Sequence, residues 1–140
     1  MKRLTRDEYF MELACTAAQR ATCDRARVGC VIVSKNNHVI ATGYNGSLPG
    51  ELHCDQVGHL IEHDHCVRTI HAEVNAIAAC AREGISTEGA SVYISHSPCE
   101  RCYRILKQAG IVKISALKAY GSVQPDVQLV IQDFKESETK

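Results

Sequence analysis

The chain has 140 residues and carries 16 basic and 16 acidic side chains, so its formal net charge is zero. This balance argues against a protein that coats nucleic acid or lies on a membrane surface, because both need an excess of basic residues. An apolar content of 45% is too high for a disordered chain, and no apolar run approaches the roughly 18 residues of a membrane-spanning helix. The N-terminal MKRLTRDEYF lacks the apolar stretch of a signal peptide. We expect one soluble, cytoplasmic domain over 1–140, with its core at about 5–120 and a C-terminal segment at 121–140.

Helical signals mark three segments of the chain. Thr5 and Glu8 have the spacing of a capping box, which satisfies free backbone donors at the start of a helix. Gly84 supplies a C-terminal stop for the second helix, and Pro98 stands where the third begins. The predicted helices cover about 6–21, 71–83 and 99–109.

Dense or alternating apolar residues predict the strands. Asn36-Asn37 suits a tight turn, so the first two strands form a hairpin. Single helices separate the later strands, which implies parallel crossovers and therefore an α/β fold with a mixed sheet covered on both faces. The strands are predicted at 28–34, 38–44, 90–96 and 111–117, with 127–134 as either a last strand or a short helix.

A long polar stretch runs from Asn45 to about Thr69, and loops of this length are usually functional or held by something other than a core. In a chain without an export signal, cysteine clustered with histidine indicates metal binding or catalysis rather than disulfides. The stretch contains His53, Cys54, His59, His63, His65 and Cys66.

Two segments carry the chemistry, His71-Ala72-Glu73 and Pro98-Cys99-Glu100-Arg101-Cys102, and both fall at predicted helix starts. Free N–H groups and the positive end of the helix dipole favour thiolates there. One histidine and two thiolates make three ligands for tetrahedral zinc and leave the fourth position for water. Glu73 lies close to such a metal without being needed as a ligand, so it can transfer protons.

Each feature alone has a plainer interpretation. A lone CxxC can be a redox pair or half of a structural zinc site, and a lone His71 on an amphipathic helix can be a core histidine. The combination of H-x-E with P-C-x-x-C, in this order and at helix starts, favours catalytic zinc instead.

These motifs resemble those of the zinc-dependent cytidine and deoxycytidylate (dCMP) deaminases. TIHAEVNAI and SPCERC are similar to the cytidine deaminase superfamily, and GYNGS (43–47) and RATCDRARVG (20–29) narrow the resemblance to dCMP deaminases. HCVRTIHAE (65–73) is most similar to bacterial members linked to competence operons. The resemblance covers about 9–120.

The resemblance implies a three-layer α/β/α cytidine-deaminase-like fold with a central mixed five-stranded sheet. It also implies an enzyme that hydrolyses dCMP to dUMP and ammonia, supplying dUMP for thymidylate synthesis. His71, Cys99 and Cys102 would then hold the catalytic zinc, and Glu73 would move the proton.

Contacts to the substrate are also implied by the resemblance. Asn45 matches an asparagine that hydrogen-bonds the sugar, although it also fits an Asn-Gly turn. Arg25 matches a recurrent basic position suited to the 5′-phosphate, ahead of the alternatives Arg27 and Arg68. Tyr120 matches a tyrosine that closes over the nucleotide, with a core aromatic as the other interpretation.

Many such deaminases bind a second, structural zinc. The matching positions here are Cys23, Cys54, His65 and Cys66. Because adjacent residues do not always bind one metal together, His53, His59 or His63 could replace His65 or Cys66. The remaining cysteines, Cys15, Cys30 and Cys80, are predicted to be core residues.

Regulation and assembly are implied only by the family. Members often respond to dCTP with Mg²⁺ as activator and dTTP as inhibitor, and they form homo-oligomers such as dimers or hexamers. The segment after Tyr120 departs from the family pattern, which weakens both expectations. The rival functions are deamination of another cytosine nucleotide or nucleoside, deamination of tRNA adenosine, and a catalytically silent zinc-binding module.

Overall fold

The computed structural model describes residues 2–62, 65–66 and 68–130, with His65 described for its backbone only. The helices are α1 (Arg6–Ala18), α2 (Cys54–Val57), α3 (Ala72–Glu83) and α4 (Glu100–Gln108). The strands are β1 (Gly29–Val33), β2 (Val39–Tyr44), β3 (Ile61–Glu62), β4 (His65–Cys66), β5 (Ser91–His96), β6 (Lys113–Lys118) and β7 (Val127–Leu129).

Five strands form the central sheet in the order β2-β1-β5-β6-β7. The hairpin strands β1 and β2 are antiparallel, and β1 is also antiparallel to β5. The strands β5, β6 and β7 run parallel to one another. The predicted mixed five-stranded sheet is therefore confirmed, and 127–129 forms a strand rather than a helix; residues 131–134 of that prediction lie outside the described chain.

Helices cover both faces of this sheet, as three layers require. Phe10, Met11 and Ala14 of α1 pack with the β1 side chains Val31 and Val33 on one face. The opposite face carries the other core cluster, which includes Cys30 and Ile32 from β1, Ala72, Ala76 and Cys80 from α3, and Leu106 from α4. The alternation along β1 therefore decides which residue meets which helix. Cys30 and Cys80 are buried as predicted, while Cys15 is half-buried.

Two strand glycines allow the helices to approach the sheet closely. A Cβ at Gly43 would collide with the backbone of α3 at Ala72 O and Ala76 N, and a Cβ at Gly29 would collide with the backbone of α1. Gly43 therefore fixes how near α3, with His71 at its start, lies to β2.

The first helix ends earlier than the sequence predicts. Beyond Ala18 the chain makes i→i−3 hydrogen bonds, from Arg20 N to Ala17 O and from Ala21 N to Ala18 O, which tighten the last turn and end the helix. Ala21 is nevertheless buried, which explains why an apolar residue stands there beyond the end of the helix.

The polar stretch between β2 and α3, for which the sequence predicts only a loop, contains regular structure. It contains the four-residue helix α2 and the two-stranded ribbon β3–β4. Elements of two to four residues are too short to show a periodic pattern in sequence. Within the described residues, no helix combines the length and apolar character that crossing a membrane requires.

Candidate active site

Two helix N-termini meet beside a cavity of about 180 Å³ at the edge of the sheet. His71 is the N-cap of α3 and Cys99 is the N-cap of α4. The chain reaches Cys99 directly from the carboxyl end of β5, where α/β sheets commonly place their sites. Asn75 in the first turns of α3 donates to Tyr44 O (2.8 Å) and Ile70 O (3.2 Å) and so anchors that helix start. The prediction that both motifs open helices is confirmed.

His71, Cys99 and Cys102 bring three metal-binding atoms together, all within 4.8 Å of one another. His71 Nδ1 lies 3.3 Å from Cys102 Sγ and 3.8 Å from Cys99 Sγ. Tetrahedral zinc, with bonds of about 2.3 Å to sulfur and 2.0 Å to nitrogen, needs ligand atoms roughly 3.5–3.8 Å apart. The donor types and spacings therefore fit zinc with one position left open to the cavity.

The protonation state of Cys99 favours metal binding. Hydrogen bonds from Cys102 and His71 lower the pKa of Cys99 to about 3. The Cys99 backbone and sulfur also sit at the start of α4, where Cys102 N donates to Cys99 Sγ at 3.5 Å. A thiolate is thus available at neutral pH, which zinc requires.

Glu73 is almost fully buried, with 3% of its surface exposed, in the first turn of α3 and on the wall of the same cavity. Burial raises the pKa of its carboxyl to about 7, because a charged group loses hydration there. A group with this pKa exchanges a proton readily near neutral pH, as a general acid–base must.

The predicted substrate residues Asn45, Arg25 and Tyr120 line this cavity together with His71 and Glu73. Tyr120 is 53% exposed, which excludes the core-aromatic interpretation. Its backbone exchanges two hydrogen bonds with Ser97 Oγ, of 2.7 and 3.2 Å. Tyr120 is thereby held at the cavity rim.

Asn45 also lines this cavity. Its Oδ1 accepts from Val28 N at 2.8 Å and its Nδ2 donates to Ala26 O at 2.7 Å, so the side chain ties the segment before β1 to the end of β2. The alternative phosphate residues are placed elsewhere, since Arg27 lines a different cavity and Arg68 Nε donates to Gly58 O.

Sequence reasoning missed three polar lining residues, Thr69, His96 and Ser97. His96 ends β5 three residues before Cys99, and its Nδ1 lies 3.0 Å from Ser95 Oγ. The available signal was its position at the carboxyl end of a parallel strand, directly before the CxxC.

A second group of metal-binding side chains, which we call the Cys/His cluster, consists of Cys23, Cys54, His59 and Cys66. Cys23 Sγ lies 3.4 Å from His59 Nδ1, and Cys54 Sγ lies 3.6 Å from Cys66 Sγ. All four donors fall within 4.8 Å of one another, as four tetrahedral ligands would. Three are predicted ligands, and the fourth, His59, was one of the alternatives to His65.

The side chains of His65 and His63 lie outside the described part of the chain. His59 completes the described cluster because the turn after α2 brings it back to Cys23, across 36 residues of sequence. Spacing alone could not choose among the nearby histidines.

Comparison with known proteins agrees with this geometry. Residues 4–118 match the family described as the cytidine and deoxycytidylate deaminase zinc-binding region. The chain belongs to this deaminase family. The signature residues His71, Glu73, Cys99 and Cys102 all fall inside the matched range.

Among the relatives in sequence, ComE operon protein 2 of Bacillus subtilis is 44% identical over 120 residues, covering 86% of this chain and 63% of the relative. The chain thus spans less than two thirds of that protein. Deoxycytidylate deaminase of Mycobacterium phage D29 is 35% identical over 126 residues, covering 81% of this chain and 95% of the relative.

A solved deaminase structure shows the same fold. The dCMP deaminase of cyanophage S-TIM5, in complex with dCMP and dUMP, superimposes with a TM-score of 0.76 at 27% identity, covering 93% of this chain and 98% of the other. The expected cytidine-deaminase-like α/β fold is confirmed.

Proposed function

We propose that this chain is a zinc-dependent dCMP deaminase that converts dCMP and water to dUMP and ammonia. The observation that carries the proposal is that His71 and Cys99, whose ligand atoms group with that of Cys102, line one cavity together with the buried Glu73. The relative from phage D29 and the solved cyanophage structure support the choice of substrate, since both are named as deaminases of dCMP.

In this reaction the C4–N bond of the pyrimidine breaks and a C4–O bond forms. Zinc supplies activation of water at neutral pH when it is bound. Glu73 accepts a proton from the attacking water and delivers it to ring N3; it then accepts the proton of the new C4 hydroxyl and delivers it to the departing amine, as the C4–N bond breaks. Its pKa of about 7 suits both directions of transfer.

The other cavity residues would bind and orient the nucleotide. Arg25 offers a guanidinium to the 5′-phosphate, whose charge a protein of zero net charge must meet locally. Asn45 shapes the sugar pocket, and one amide hydrogen beyond its bond to Ala26 is available to the sugar. Tyr120, exposed at the rim, would close over the bound nucleotide.

The Cys/His cluster fits a second, structural zinc held by Cys23, Cys54, His59 and Cys66. Such an ion would hold the stretch between β2 and α3, whose own elements are too short to form a core. None of the eight cysteines, all within the described residues, forms a disulfide, which suits a reducing compartment such as the cytoplasm. Activation by dCTP with Mg²⁺, inhibition by dTTP and a homo-oligomeric dimer or hexamer complete the proposal and rest on the family resemblance.

The decisive experiment measures ammonia release and product identity on dCMP, CMP, deoxycytidine and a tRNA substrate. We expect turnover of dCMP to exceed that of deoxycytidine because only dCMP carries the phosphate. Glu73→Gln should lower kcat by about 10²–10⁴-fold while zinc content is unchanged, because the residue moves protons but does not hold the metal. Glu83→Gln, the same change at the exposed end of the same helix, is the matched control and should leave both unchanged.

Each rival gives a different result. Preference for deoxycytidine or CMP would assign another cytosine substrate, and inosine formation in tRNA would assign an adenosine deaminase. Bound zinc without turnover of any substrate would indicate a silent binding module. A Glu73→Gln enzyme with full zinc and full activity would overturn the mechanism.

A further inference from the structure

The Cys/His cluster and the proposed active site share a wall. Cys23 and Cys66 belong to the cluster and also line the cavity that contains His71 and Glu73. Cys23 lies two residues before the lining residue Arg25, and Cys66 lies three residues before the lining residue Thr69. A displacement of either sulfur would therefore move the cavity lining next to it.

The segment that carries Arg25 depends on this attachment. Residues 21–28 lie between α1 and β1 and have no helix or strand of their own. At one end Thr22 N donates to Asn45 O at 3.1 Å, and at the other end the Asn45 side chain bonds Ala26 and Val28. Between these two attachments, Cys23 and Asp24 both contact His59.

Asp24 determines which nitrogen of His59 can bind a metal. Asp24 Oδ1 lies 3.1 Å from His59 Nε2, while His59 Nδ1 faces Cys23 Sγ at 3.4 Å. A carboxylate on Nε2 stabilises the proton there, which leaves the lone pair of Nδ1 directed at the cluster. Outer carboxylates of this kind orient metal-binding histidines and strengthen their binding.

We propose that Asp24 is a positioning residue that couples metal binding at the Cys/His cluster to substrate binding in the active-site cavity. Asp24 fixes His59, the completed cluster fixes Cys23, and the segment 23–26 then presents Arg25 to the phosphate of the substrate. The inference rests on the proposed function for its substrate. It assigns Asp24 to substrate affinity and not to the chemistry at C4, because Asp24 acts on the segment that carries Arg25, whereas Glu73 and the three catalytic ligands lie within or at the starts of α3 and α4.

The negative charge of Asp24 by itself predicts the opposite change in KM when Asp24 is replaced. If Asp24 acted only as a negative charge near an anionic substrate, its neutralisation would improve binding and lower KM. Loss of positioning would instead raise KM. The direction of the change therefore separates the two explanations.

The chain offers a closely matched control. Asp24 follows the cluster residue Cys23, and Asp55 follows the cluster residue Cys54; both carboxylates are exposed. Asp55 belongs to the first turn of α2, whereas Asp24 contacts His59. Asp24→Asn and Asp55→Asn therefore remove the same charge at equivalent distances in sequence from a ligand.

The test compares wild type, Asp24→Asn, Asp24→Glu and Asp55→Asn in the zinc-loaded protein. Zinc equivalents per chain and their retention against a chelator are measured first, and KM and kcat for dCMP second. For Asp24→Asn we expect about 10–100-fold weaker retention of the second zinc equivalent, with the first equivalent unchanged. We also expect KM to rise about tenfold with kcat within about twofold of wild type.

Asp24→Glu keeps the carboxylate and should therefore retain most of the zinc retention and most of the substrate affinity. Asp55→Asn should match wild type in both. Equal zinc retention in Asp24→Asn and Asp55→Asn, a lowered KM, or a loss confined to kcat would each overturn the proposal. If the wild type does not deaminate dCMP, the proposed function fails by itself; zinc retention still decides whether Asp24 positions the cluster.

Discussion

Gly43→Ala should show that the active site depends on how closely α3 approaches the sheet. The new Cβ would lie 2.8 Å from Ala76 N and 3.0 Å from Ala76 Cβ, and closer still to Ala72 O, where ordinary contacts are 3.4–4 Å. The obstructing atoms are helix backbone, so no side chain can rotate away. The start of α3, with His71 and Glu73, must retreat by about 1 Å.

Two consequences follow from this displacement. Overpacking of a close helix–sheet contact costs about 1–3 kcal/mol, which corresponds to a fall in Tm of roughly 3–15 °C for a domain of this size. Misplacement of catalytic groups by about 1 Å lowers turnover by about 100-fold. At a temperature where the variant is fully folded, its kcat should therefore still be far below that of wild type, although unfolding no longer contributes to the loss.

The matched control is Gly29→Ala, which presses a Cβ against the backbone of α1 on the other face of the sheet. Residues 6–18 do not appear in the cavity lining, so this variant should lose comparable stability while its kcat stays within about threefold of wild type. Thermal melts, zinc content and steady-state kinetics on dCMP provide the comparison. Equal losses of kcat in the two variants, or full activity in Gly43→Ala, would refute the reasoning.

The remaining predictions concern stability. Tyr93 OH and Lys113 Nζ donate to the Asp7 carboxylate, and the bond from Tyr93 and the charge of Lys113 hold the pKa of Asp7 below 3.8. The stabilisation is thus complete above pH 3.8 and disappears as the pH falls through the lowered pKa of the folded state. Asp7→Asn should therefore unfold at a lower urea concentration than wild type near neutral pH. A difference in urea midpoint that does not narrow in acid would contradict this. Thr5→Ala removes the bond from Glu8 N to Thr5 Oγ1 (3.1 Å) and should cost about 1 kcal/mol, with kinetics unchanged; an unaltered Tm would show that the cap contributes nothing.

The sequence predicted the long elements well because each satisfies several local rules at once. The helix over 71–83 has an apolar face, an acidic first turn and Gly84 in the left-handed conformation at its end. The hairpin strands 28–34 and 38–44 differ from the structure by a residue at their ends. By contrast, α2 has four residues and β3 and β4 have two each, too few to show a periodic pattern in sequence.

The sequence by itself determined the chemistry that the chain can offer. The motifs H-x-E and P-C-x-x-C, at the starts of helices with strong local signals, specify the donor types and the proton carrier without reference to the rest of the fold. The same local signals determined the mixed sheet with helices on both faces.

Only the tertiary structure decided which side chains meet. It brought His59 to Cys23, placed Asp24 at the other nitrogen of that ring, and set His96 and Tyr120 on the cavity wall. It also buried Glu73, and burial is what raises its pKa to about 7. These properties depend on contacts between residues tens of positions apart and on exclusion of water, neither of which spacing along a chain encodes.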